Sequence, residues 1–300
     1  MSKRASCHPR AGIVLLLGLL SMLFNATALA QTPTVSLGAI GEVPIGESFD
    51  FTVSFDNTGG ATGYGPFVDL YLPANGADGN GNTDTLDGIT LSGVSYLGSP
   101  LDGSLITIQT FPDTPLGLAP CSASQTRLSH PLALDPMGTP LEVCGTPGDQ
   151  LVTIELPFGS FTPTQPALDL DITASLSNLA DVSTPLPIRA RGGFRFGNDP
   201  LDNFCCDAVL VNPASTDTDT WPASNATPSL LIASKNLVSS ESETATGPNF
   251  PRSYTITVDI PTGQTVDNVV VTDYLPDDIV VTGVTAPGGT VPPNTFPLGP

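Results

Sequence analysis

From Tyr254 the chain alternates apolar and polar residues: Tyr254, Ile256, Val258 and Ile260 against Thr255, Thr257 and Asp259. The same pattern runs through Phe51, Val53 and Phe55 against Thr52, Ser54 and Asp56. A period of two predicts half-buried β-strands. A Gly/Thr turn follows each, then a more continuous apolar run, FVDLYL (67–72) or VVVTDYL (269–275), stopped by Pro73 or Pro276. Such a run predicts a more deeply buried strand. Further strands are predicted at Thr34–Leu37, Ile89–Leu97, Leu105–Phe111, Val152–Phe158, Leu168–Leu176 and Ile188–Phe196. Prolines and glycines fall mostly between these runs, and no stretch beyond the N-terminal leader has helical periodicity. The expected fold class is all-β.

The two patterned stretches are copies. A shift of 203 positions lays Phe51–Pro73 on Tyr254–Pro276 without a gap, with eight of 23 positions identical. A second match, Gly88–Val94 on Asp278–Val284, has an offset of 190, so the first copy carries a 13-residue insertion within Ala74–Asp87. Internal repetition of this kind outranks other fold signals. It divides the chain into a first module over 31–197, a polar linker over 198–228 that carries the sole tryptophan, Trp221, and the start of a second module over 229–300. Nothing after Val284 supplies the later strands that the first copy possesses, so the second module is expected to be incomplete within this chain, and the natural protein to continue.

The order of Lys235, the YTITV strand (Tyr254–Val258), a turn and the VTDYLP segment (Val271–Pro276) resembles the bacterial conserved repeat domain, the eleventh domain of unknown function. The first copy is a longer, divergent relative without the lysine and with LYLP in place of TDYLP. The resemblance implies tandem Ig-like β-sandwiches in a long exported surface protein. It implies no activity, because that family is defined by fold and location. Surface modules of the Ig-like type sometimes join a lysine to an Asn or Asp side chain. Outside the leader the first copy has no lysine, and Lys235 is read as an ordinary surface residue.

Residues 1–30 read as a secretory leader: Lys3, Arg4 and Arg10, an apolar core over Ala11–Leu23, and an Ala28-Leu29-Ala30 cleavage signal. That core is short for a bilayer span, and no later stretch is long and apolar enough to cross a membrane as a helix. Nine basic residues, three of them in the leader, leave six against 29 acidic ones, a net charge of −23 for the exported part. Such a surface repels nucleic acid and anionic lipid. Export also changes the reading of the cysteines. Cys7 leaves with the leader; Cys121, Cys144, Cys205 and Cys206 remain, an even set that favours disulfides. Cys121 with Cys144 would close the proline-rich stretch 112–147, expected to be an elaborated loop, and Cys205 would then bond Cys206. Crossed pairing between the two sets is the alternative.

Candidate chemistry is sparse. Asp78, Asn80, Asn82, Asp84 and Asp87 could supply oxygens to a Ca²⁺ ion, the one cofactor suggested. The spacing is not that of an EF-hand, since Thr83 and Ile89 stand where the turn glycine and the bidentate glutamate belong. His130, the sole histidine outside the leader, lies in a Ser-His-Pro stretch and is read as a loop residue rather than a catalytic base. Glu155 and Asp171 make one of many carboxylate pairings that an acidic chain supplies by chance. Arg189, Arg191 and Arg195 share one side of a strand and are expected to face Asp169 and Asp171 across a ladder. The sequence therefore favours a non-enzymatic extracellular structural or adhesion protein, partnered by further modules of its own chain. A calcium-assisted module that binds a surface glycan or protein is the alternative.

Overall fold

The computed structural model describes residues 31–77, 86–114, 119–135, 137–200, 209–238, 253–262, 264–275, 281 and 283–285. The leader, Asp78, Asn80, Asn82, Asp84, Cys205 and Cys206 lie outside the described residues. The strands begin with β1 (Pro33–Leu37), β2 (Gly41–Pro44), β3 (Ser48–Asn57), β4 (Gly63–Tyr64), β5 (Pro66–Leu72) and β6 (Ile89–Tyr96). Next come β7 (Ser99–Pro100), β8 (Ile106–Thr110), β9 (Thr126–Leu134), β10 (Pro140–Gly145), β11 (Gln150–Glu155) and β12 (Ser160–Phe161). The last are β13 (Leu168–Leu176), β14 (Leu186–Phe194), β15 (Leu210–Asn212), β16 (Ala223–Ser229), β17 (Ile232–Leu237) and β18 (Tyr254–Asp259). Apart from the short 3-10 turns Gly103–Leu105 and Thr218–Thr220, the regular structure is all β, as the alternation requires.

Two sheets face each other across one core. One runs β1-β3-β13-β6-β7; the other runs β2-β16-β14-β5-β11-β8, with β15 added to β14. Period-two alternation places Phe51, Val53, Phe55, Leu170 and Ile172 on the inner face of the first sheet. Val68, Leu70, Val152, Ile154, Ile188 and Ala190 come from the second and join them in a single buried cluster. Fully burying each such side chain is worth about 1.5–3 kcal/mol. Phe55 packs edge-on to Phe161 and Phe194 at ring separations of 5.3 and 5.7 Å. The outer face of the first sheet is polar, with Thr173 Oγ1 donating to Asp50 at 2.6 Å. This is the β-sandwich expected of the first module.

β5 is buried along its whole length, because a third layer covers its other face. The stretch 112–147 is not the irregular loop expected from its prolines. Most of it forms the antiparallel β9–β10 hairpin. Val143 and Leu128 of the hairpin pack on Tyr71, Phe111, Leu151 and Trp221, a second apolar cluster outside the sandwich. Cys121 is disulfide-bonded to Cys144, as proposed, fastening the segment before β9 to β10.

The segment 198–228 is likewise not a free linker over its described residues. β15 pairs with β14, and β16 pairs with β14 on one side and, in parallel, with β2 on the other. Its many Ser, Thr and Asp residues suggested a tether, but β16 is an outlying strand whose polar side chains face solvent while Ala226 enters the core.

The second copy begins as the first does. β1 pairs with β3 so that Val35 opposes Phe55, and β17 pairs with β18 so that Ala233 opposes Val258, the repeat equivalent of Phe55. Beyond that point the copies diverge. Residues 269–275, equivalent to β5, form no strand, and Val270 and Tyr274 are each 85% exposed. β5 owes its burial to β11 and β14 on either side. Among the described residues nothing plays that part for 269–275, and a backbone without partners is not buried.

Candidate functional site

The densest polar chemistry lies between the sandwich and the hairpin. On β5, Val68, Leu70 and Leu72 point into the core, so Phe67, Asp69 and Tyr71 point the other way. Register places Thr153 of β11 and Arg191 of β14 directly beside Asp69. The outward row across three strands is therefore Thr–Asp–Arg, and His130 descends onto it from β9.

All four side chains are buried. Arg191 Nε donates to Asp69 Oδ2 at 2.8 Å, Thr153 Oγ1 donates to Oδ1 at 2.8 Å, and His130 Nε2 lies 2.8 and 2.9 Å from the two oxygens. His130 Nδ1 accepts the backbone N–H groups of Leu132, at 3.1 Å, and Ala133, at 2.8 Å. His130 thus presents Nε2 to the Asp69 carboxylate and Nδ1 to the two backbone amides. Arg191 also donates to the Ser215 carbonyl at 3.3 Å and lies 4.4 Å above the Trp221 ring, whose N–H meets the same carbonyl. Burial alone would push the Asp69 carboxyl up; His130 and the Arg191 guanidinium outweigh it and hold the group at about 2.

A second buried group stands nearby. Tyr71 donates its hydroxyl to Asp149 Oδ2, and the Asn75 N–H donates to Oδ1 at 2.9 Å. Burial, reinforced by the charge on Asp219, pushes the Asp149 carboxyl up to about 7 despite these donors. Burial and Asp149 together push the Tyr71 hydroxyl up.

This arrangement differs from the expectation for the setting of His130 and for the three arginines. His130 is not a loop histidine but a buried strand residue with both nitrogens engaged. Nor is it a base in waiting, since the hydroxyl nearest the carboxylate, that of Thr153, bonds Asp69. The three arginines do not meet Asp169 and Asp171, which belong to β13 in the other sheet. Arg189 pairs instead with Asp219 at 3.2 Å, Arg191 with Asp69, and Arg195 with Glu155 at 4.0 Å. Glu155 and Asp171 therefore lie on different sheets. Asp87 returns against the backbone at Gly76, where a Cβ would come within 2.4 Å of its carboxylate. Among the described residues no group of three or more His, Cys, Asp or Glu is placed to hold a metal ion.

Asp69, Tyr71, Asp149 and Trp221 escaped the sequence reading. The signal was present for Asp69: a carboxylate within a run otherwise fit for double burial requires a buried partner. A shallow groove of about 520 Å³ opens at one end of the hairpin layer, between Leu132, Phe158 and Phe196, with Arg195 and Glu155 also lining it.

No protein-family model matches the chain, and no curated protein does. Among solved structures, the macrocyclisation catalyst AvmM of alchivemycin A biosynthesis is 10% identical, with 77% of this chain and 90% of that one covered and a TM-score of 0.33. The third ScaC cohesin of Acetivibrio cellulolyticus, solved with a ScaB dockerin, is 10% identical over 66% of this chain and 99% of that one, with a TM-score of 0.31. The major pilin GBS80 of Streptococcus agalactiae is 11% identical over 69% of this chain and 58% of that fragment, also with a TM-score of 0.31. Scores this low carry no argument about role. No helix among the described residues is long and apolar enough to cross a membrane.

Proposed function

We propose that the chain is a non-enzymatic extracellular structural or adhesion protein, built of tandem Ig-like modules and related to the bacterial conserved repeat domain it resembles. The observation that carries this reading is the repeated strand pairing, in which β17–β18 reproduces the register of β1–β3. One module occurring twice in a chain suits a spacer that sets distance and presents a surface. Two further features support it. The histidine–carboxylate group is sealed from solvent, with both His130 nitrogens and both Asp69 oxygens engaged, so it fastens a layer rather than attacks a substrate. The disulfide suits an oxidising compartment outside the cytoplasm. Antibody labelling of intact cells of the source bacterium tests the reading: surface staining removed by external protease is expected, and a protein found only inside the cell overturns it.

The groove at Phe158 and Phe196 favours a second reading, recognition of a surface glycan, since rings beside a charged pair suit sugar faces and hydroxyls. A glycan array run with and without calcium separates the two. Specific binding that Phe158→Ala abolishes would favour recognition; an array without signal leaves the spacer.

A further inference from the structure

The two copies differ at one backbone amide, and the difference joins them. In the first copy Asn57 closes the turn after β3. Its Oδ1 accepts the Gly59 N–H at 3.2 Å, and its Nδ2 donates to the Ala61 and Phe161 carbonyls at 2.9 and 3.0 Å. The shift of 203 places Ile260 at Asn57 and Thr262 at Gly59. Isoleucine offers no side-chain acceptor, so the equivalent N–H cannot be satisfied in the same way. It donates instead to Glu47 Oε1, at 2.9 Å, in the turn between β2 and β3 of the first module. In return the Thr262 N–H holds the Glu47 carboxyl below its ordinary value. Burial inverts in step. Asn57 is buried and Thr58 exposed, whereas Ile260 is 42% exposed and Pro261, at the position of Thr58, is buried. A turn that is open in one copy and covered in the other is meeting a second surface.

The connection between the modules is correspondingly short. β16 ends at Ser229 and β17 begins at Ile232. Leu230 packs on the core of the first module. The Ser229 hydroxyl donates to the Leu231 carbonyl at 2.6 Å, and the Leu231 N–H returns to the same hydroxyl at 3.2 Å. The Ser229 carbonyl is itself fixed by the Ile45 N–H at 3.1 Å. With one intervening residue anchored and the other bracketed, little freedom is left for a hinge.

We propose that these contacts form a locked joint, in which Glu47 latches the second copy onto the first module and fixes the angle between them. Ser229 and Leu230 hold the near side of the joint. The Glu47–Thr262 bond lies across it and opposes rotation about residues 230–231. A carboxylate that accepts from an N–H makes a charge-assisted hydrogen bond, stronger and more directional than a neutral one. The joint stands on these contacts alone and does not depend on where the protein works or on what it binds.

The test is backbone amide relaxation, measured by NMR on the purified chain. Order parameters for β17 and β18, referred to the tumbling of the sandwich, should be about 0.85 in the unaltered chain and fall below about 0.6 in Glu47→Ala. Glu47→Gln keeps an acceptor oxygen and should retain most of the order. The Thr262 amide proton should move to lower frequency in Glu47→Ala, reporting the loss of its acceptor. Thr262→Pro removes the donor from the opposite side and should free the same strands. Trp221 emission, which reports the first module, should be unchanged throughout; if Glu47→Ala disturbs it, Thr262→Pro, which lies outside that module, decides alone. Independent tumbling of β17 and β18 in the unaltered chain overturns the proposal. So does order that persists when the acceptor or the donor has been removed from an intact first module.

Discussion

Asp69 stays ionised in the interior because three donors from three different strands converge on it: Arg191, Thr153 and His130. Removing one member of a buried ion pair leaves the other uncompensated, which typically costs about 3–5 kcal/mol. Asp69→Asn should therefore lower stability by that amount in urea melts. Combining it with Arg191→Met should cost much less than the sum of the two single changes. Asp149 behaves in the opposite sense. Its carboxyl is raised to about 7 in the fold, so its contribution is complete below about pH 4, the unfolded value, and is lost as pH rises through 7. Asp69, held at about 2, contributes fully above about pH 4 and loses that contribution as pH falls toward 2. Thermal stability should accordingly peak near pH 4–5 and decline toward neutrality by several kcal/mol. Asp149→Asn should flatten the neutral limb and leave the acid limb in place; a neutral limb unchanged in that variant would refute the assignment.

At the scale of elements, the hairpin layer depends on its fastenings. Reducing the Cys121–Cys144 bond, or Cys121→Ala with Cys144→Ala, should lower stability by about 3 kcal/mol, the chain-entropy value for a loop of this size. Exchange should then quicken first in β9 and β10. Gly193 of β14 fits beneath Phe67, and a Cβ there would approach the ring to 2.1 Å. Gly193→Ala should cost about 1–3 kcal/mol by overpacking, measured by denaturant midpoint. The sandwich strands were legible because alternation reports a two-sided environment directly, as in Leu168–Leu176. The hairpin was not. Prolines at 131 and 140 fall within its strands, and proline in a strand reads as a loop unless its missing N–H is known to face away from a neighbour. The candidate site shared that fate. Asp69, Arg191 and His130 are 61 or more residues apart in pairs with Asp69, and only the register of three strands and a covering hairpin brings them together.

For the whole molecule, β15 and β16 pair with β14 and β2 as far as Ser229, which predicts that the first module needs these strands to fold. A fragment of residues 31–229 should fold and melt cooperatively. A 31–197 fragment, deprived of β15, β16 and Trp221, should melt far lower or aggregate, since it exposes one edge of β14 and the Arg191 side chain. Circular dichroism melts of the two fragments check this, and equal midpoints would restore the shorter boundary.

The β2–β16 pairing has a mechanical consequence. These strands lie near the beginning and the end of the first module and run parallel, with Gly41 opposite Ala226 and Pro44 opposite Ser229. Tension applied through the chain pulls β2 by its leading end and β16 by its trailing end, in opposite directions along the shared ladder. The load falls on all of those hydrogen bonds at once, in shear, and the Ile45 N–H bond to the Ser229 carbonyl, at 3.1 Å, extends the loaded patch. An antiparallel pair pulled from one end would open like a zipper, one bond at a time. Along this ladder the module is thus built to resist stretching.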